Sequence, residues 1–135
     1  LARYEANDNG FDEAIMLDNL GYVAEGTGEN LFVARDGVVK TPPTVNILAG
    51  ITRRTAMEIL EKEGIQVHEM PFGRDALYVA DELFMTGTAA EITPVREVDR
   101  IEIGKPGPIT QRVQEIYSDG VRGKIDWLRP YITTY

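Results

Sequence analysis

Two hydrophobic periods divide this chain, and each change of period marks an element. Residues 14–17 and 22–24 are short apolar runs separated by Asp18-Asn19-Leu20-Gly21, so a strand, a turn and a returning strand are predicted. Residues 31–34 and 38–40 flank Asp36-Gly37, a dipeptide suited to a two-residue hairpin because both turn positions need positive φ. Pro42-Pro43 ends that segment and opens a loop. From Ile51 to about Glu63 the period becomes helical. Ile51, Thr55 and Ile59 recur at spacing four with Ala56 and Leu60 alongside, and Gly64 suits the stop. Beyond it, residues 65–70 alternate as a strand, residues 75–80 suit a short helix, and residues 83–85 read as a buried strand. Further strands are predicted over 92–98 and 101–103. A long helix follows Pro108, with Ile109, Val113, Ile116 and Tyr117 on one apolar face. The first eight or so residues read as a helix ending near Asn9-Gly10. With no internal repeat or linker, residues 1–135 are expected to form one mixed α and β domain.

Composition narrows the classes of function. A chain of 135 residues, 43% apolar and 27% charged, is an ordinary domain able to bury a core. Its net charge of −8 argues against a nucleic-acid surface, which needs clustered Lys and Arg. The absence of cysteine excludes disulfides, thiolate metal sites and a cysteine nucleophile. No His or carboxylate cluster has metal-ligand spacing, so no metal is expected. No apolar run reaches membrane-spanning length and no signal-peptide pattern is seen, and a cytoplasmic location is expected. The opening Leu1-Ala2-Arg3-Tyr4-Glu5-Ala6 lacks Met and reads like a helix interior, which suggests a fragment or a processed chain.

Three separated stretches carry candidate chemistry. Glu25-Gly26-Thr27-Gly28-Glu29-Asn30 sets a carboxylate in a glycine-rich turn ahead of the apolar Leu31-Phe32-Val33; the glycines allow a flat ring to come close. Alone, so short a string favours a surface turn. Gly50-Ile51-Thr52 opens a helix, whose first N–H groups lack internal partners and suit an anion, although Thr there also reads as plain capping. Thr86-Gly87-Thr88-Ala89-Ala90-Glu91 follows a buried strand, and its small residues expose successive N–H groups; an ordinary strand-to-loop turn has the same composition. His68, the single histidine, is expected at a surface or edge position. Met70, Phe84, Met85 and Trp127 are expected to pack, and Arg53-Arg54 and Lys62-Glu63 to lie on solvated helix faces, although Arg53 lies near the candidate phosphate site.

The order and spacing of these stretches resemble the fold-type IV pyridoxal-phosphate (PLP) enzymes, and in particular the branched-chain amino acid aminotransferases. The resemblance implies an α+β fold, a mostly antiparallel barrel-like sheet flanked by helices, forming most of the larger domain. It also implies PLP as cofactor and amino-group transfer between branched-chain amino acids and 2-oxoglutarate. On that pattern Glu25 holds the ring nitrogen, while Leu48, Ile51 and Thr52 surround the phosphate and adjacent ring face. Thr88 also contacts the phosphate, and the N–H groups of Thr88 and Ala89 meet the substrate carboxylate. Ala49 replaces the family's usual proline, which loosens the loop around Leu48. Lys40, Lys62, Lys105 and Lys124 are the lysines present, and none sits where the family keeps its Schiff-base lysine. No catalytic residue is therefore expected here; that lysine and a smaller N-terminal domain are expected upstream of residue 1. The chain alone should be nearly inactive, and a homo-oligomer or association with the missing half is expected. Runners-up are a D-amino acid aminotransferase or aminodeoxychorismate lyase of the same scaffold, or a non-catalytic assembly domain.

Overall fold

The computed structural model describes residues 15–17, 20–26, 29–43, 50–87, 91–103 and 107–121. The helix expected over the first eight residues, and Trp127, lie outside them. Strands β1 (Ile15–Leu17) and β2 (Val23–Gly26) pair antiparallel. Next come β3 (Asn30–Arg35) and β4 (Val38–Thr41), joined by Asp36-Gly37 at φ 52° and 77°. The predicted hairpin forms, with Arg35 opposite Val38. After helix α1 (Ile51–Lys62), strand β5 (Val67–Glu69) returns parallel to β4. The short helix α2 (Asp75–Tyr78) then leads into β6 (Glu82–Gly87) and β7 (Glu91–Pro94). The hairpin β8 (Glu97–Val98) and β9 (Ile101–Glu102) precedes α3 (Pro108–Val121).

The central sheet has strand order β5-β4-β3-β6-β7, antiparallel except at β4–β5. Among the described residues it is open, with β5 and β7 as its edges, rather than closed into a barrel. Both faces are covered, and strand alternation sorts β3 and β6 between two cores. Phe32, Ala34 and Phe84 pack beneath Ala56, Ile59 and Leu60 of α1 and Val113 and Ile116 of α3. Leu31, Val33, Leu83 and Met85 face the other way, against Val23, Phe72, Leu77 and Val98. Phe32 and Phe84 are register partners whose rings stack 4.9 Å apart at an interplanar angle of 3°. Burial on both faces explains why every residue of β6 is buried.

The ends of α1 follow from its sequence. At its close, Ile65 N–H donates to the Leu60 carbonyl at 2.9 Å and Gly64 N–H to Glu61 at 3.0 Å, around Gly64 at φ 76°. This is a Schellman arrangement that only the glycine adopts without strain. The buried face carries Thr52, Thr55, Ala56, Ile59 and Leu60; Ile51, expected on it, is exposed. Met70 is likewise exposed rather than packed, because it lies just past edge strand β5. The run expected over 92–98 divides into β7 and β8, and Asp99 and Arg100, at φ 50° and 66°, turn β8 back into β9. No helix among the described residues is long and apolar enough to cross a membrane.

Candidate functional site

The three sequence stretches meet at one end of the central sheet. Asn30, last residue of the first stretch, opens β3 and is register partner of Thr86 on β6. It also touches the second stretch: a Cβ placed on Gly50 would lie 3.1 Å from Asn30 Oδ1. Because Phe32 and Phe84 face α1, alternation puts Asn30 and Thr86 on that same face, two register pairs further along. The start of α1 and the ends of β3 and β6 therefore share one corner. Thr86 is fully buried there, and its hydroxyl has no hydrogen-bond partner.

The two long helices begin in opposite ways. The start of α3 is filled from within: the buried Glu82 carboxylate accepts the N–H groups of Thr110 at 2.7 Å and Ile109 at 3.2 Å. Gly107 makes room, since a Cβ there would stand 2.5 Å from the Glu82 carboxyl carbon. Among the described residues, the start of α1 has no such carboxylate. Its N-cap is Gly50, without a side-chain cap, and its first turn carries no acidic residue. The first intrahelical bond joins Arg54 N–H to Gly50 at 3.2 Å, which leaves the N–H groups of Ile51, Thr52 and Arg53 ahead of it. Such N–H groups with partial positive charge suit an anion, and the orphaned Thr86 hydroxyl lies at the same corner. These residues fit a phosphate group.

Arg53 departs from the sequence expectation. It is buried rather than solvated, 5% exposed, while Arg54 remains on the exposed face. Its Nη2 donates to the Pro42 carbonyl at 3.3 Å and lies 3.5 Å from Glu69 Oε2; its Nε has no partner. Helical periodicity put Arg53 off the apolar stripe, and burial came from α1 packing its first turn against the ends of β4 and β5, where Pro42 and Glu69 lie. The signal in the chain was its place near the candidate phosphate site at a helix start.

The other expected residues are distributed as follows. Thr52 is buried and Ile51 exposed in the first turn of α1. Glu25 belongs to β2, which runs beside β3. Leu48, Thr88 and Ala89 lie outside the described residues. Lys40 alternates to the sheet face away from α1, and Lys62 is exposed at the far end of that helix; Lys105 and Lys124 lie outside the described residues. His68 is exposed on edge strand β5, as expected. Apart from the site, Arg74 and Tyr78 both donate to Asp99; the hydrogen bond from Tyr78, then that from Arg74, holds its carboxyl below the usual range. The described residues contain no metal-binding cluster.

Sheet and helices together define an α+β domain with an uncapped helix start at one corner of its central sheet. The family model for amino-transferase class IV matches residues 1–98, and the chain belongs to that family. It is 50% identical over 137 residues to a probable branched-chain-amino-acid aminotransferase of Aquifex aeolicus, covering 98% of this chain and 44% of that protein. Among solved structures it is similar to the branched-chain aminotransferase of the thermophilic archaeon Thermoproteus uzoniensis with norvaline. That match has TM-score 0.91 and 48% identity, covering 98% of this chain and 44% of the other. The Thermobaculum terrenum branched-chain amino acid aminotransferase in its PLP form gives TM-score 0.92 and 43% identity, covering 98% and 45%. The fold is that of the fold-type IV enzymes. The chain spans less than half the length of these relatives.

Proposed function

We propose that this chain forms the phosphate-binding part of a PLP-dependent aminotransferase that moves the amino group between leucine, isoleucine or valine and 2-oxoglutarate. The observation that carries the reading is the meeting of Asn30, Gly50 and Thr86 at one uncapped helix start. The names of the relatives favour the branched-chain substrates over the other chemistries of the scaffold.

When bound, the cofactor supplies an electron sink that makes the substrate's Cα proton removable. The N–H groups of Ile51 and Thr52 neutralise its phosphate, and the hydroxyls of Thr52 and Thr88 add donors. Leu48 borders the ring face. The Glu25 carboxylate keeps the ring nitrogen protonated, since a nearby anion favours the charged form. The N–H groups of Thr88 and Ala89 receive the substrate carboxylate. The covalent lysine is assigned to no residue of this chain, in keeping with the positions of Lys40 and Lys62. Further chain segments or a second copy are needed to complete the catalytic centre, and a cytoplasmic setting goes with the proposal.

The test is a comparison of PLP with pyridoxal, which lacks the phosphate, by change in cofactor absorbance. PLP is expected to bind the chain more tightly, and Thr52→Val to weaken it by about tenfold, the value of one charge-assisted hydrogen bond. Borohydride treatment is expected to fix no pyridoxyl group on the chain. Equal affinity for the two compounds would sink the reading.

A further inference from the structure

We infer that Arg53 and Glu69 together set how strongly the start of α1 holds an anion: Arg53 as a buried positioning cation, Glu69 as the carboxylate that partly cancels it. The inference rests on the phosphate reading above and deepens it. Arg53 is the only buried cation among the described residues. Burying a guanidinium is costly unless its charge and its N–H groups are met. Here they are met in part. Glu69 stands 3.5 Å away with 47% of its side chain exposed, the Pro42 carbonyl is 3.3 Å away, and Nε has nothing.

The partly compensated charge lies in the same helical turn as the N–H groups ahead of the first intrahelical bond, with Arg53 N 4.0 Å from the Cβ position of Gly50. Helix start, buried guanidinium and missing acidic cap all have one sign. A phosphate monoester dianion satisfies that excess, whereas a neutral or cationic ligand does not. Glu69 is the opposing element. It lies on edge strand β5, outside the cores, so its charge changes the potential at the corner with little effect on packing.

This arrangement differs in sign from a purely structural tie. If Arg53 and Glu69 only clasped α1 to the β4 and β5 ends, removing either would loosen the corner and weaken anion binding. If they act through charge, the two removals have opposite effects. Inorganic phosphate is the probe, titrated by phosphorus NMR into the full chain and its variants, with far-UV circular dichroism as the fold control. Glu69→Gln is expected to tighten phosphate binding by roughly threefold, and Arg53→Gln to weaken it by roughly tenfold, for charges several ångströms apart in partly buried surroundings. Should Arg53→Gln fail to fold, Glu69→Gln decides alone. Unchanged or weaker binding in Glu69→Gln overturns the inference and leaves the PLP reading intact. A chain that binds PLP through its phosphate but shows no response to inorganic phosphate also overturns it. A chain that discriminates neither PLP from pyridoxal nor phosphate from buffer removes both readings together.

Discussion

Arg100 sits at φ 66° in a two-residue turn, a conformation whose cost for a side-chain-bearing residue is about 1 kcal/mol. Asp36-Gly37 makes a similar turn, with φ 52° and 77°, and that one was legible because glycine marks it. The turn at Asp99-Arg100 was not, since arginine gives no local sign of positive φ; pairing of β8 with β9 imposes it. Arg100→Gly is therefore expected to stabilise the protein by at most about 0.5 kcal/mol in urea unfolding, after the extra entropy of glycine in the unfolded chain, about 0.5–1 kcal/mol, is counted. A destabilising result would mean that the Arg100 side chain contributes more than its backbone costs. The same limit applied to Arg53. Its residue type suggested solvent, and its burial arose from elements distant in sequence.

Among elements, the start of α3 shows how a helix terminus is satisfied from another strand. The Glu82 carboxylate on β6 meets Ile109 and Thr110 N–H groups, an interaction separated by more than two dozen residues and invisible to a capping motif. Glu82→Gln is expected to cost about 1–3 kcal/mol, because a neutral amide replaces a charged acceptor while one of its groups stays buried. Gly107→Ala should destabilise at least as much, since its Cβ would stand 2.5 Å from the Glu82 side chain. Denaturant midpoints of the two variants check both; a Gly107→Ala variant as stable as the original would show that Glu82 can move aside. The termini of α1 were more readable. Gly50 and Gly64 bracket the helix in local sequence, and both boundaries fell close to the periodicity.

For the whole molecule, β6 is the shared wall of two cores. Phe84 packs toward α1 and α3, while Leu83 and Met85 pack toward Val23, Phe72 and Leu77. Neither core can be dismantled without exposing the other through the same strand. Phe84→Ala is expected to cost about 3–5 kcal/mol, a large share of a typical domain's stability. Leu83→Ala is expected to cost about 2–5 kcal/mol from the opposite face. In each variant, aromatic near-UV and backbone far-UV circular dichroism should still report one coincident thermal transition. Two separated transitions would show that the faces melt independently.

The chain's local chemistry was enough to determine most of its strands, the helices α1 and α3, the hairpin at Asp36-Gly37 and the three motif stretches, because periodicity and turn residues act over a few neighbours. It was also enough for the resemblance that the family match bears out. Tertiary structure alone decided that Asn30, Gly50 and Thr86 share a corner, that Glu82 closes one helix start while the other stays open, and that Arg53 is buried beside it. Each of these depends on contacts between segments far apart in sequence, formed only when the two faces of the sheet are covered.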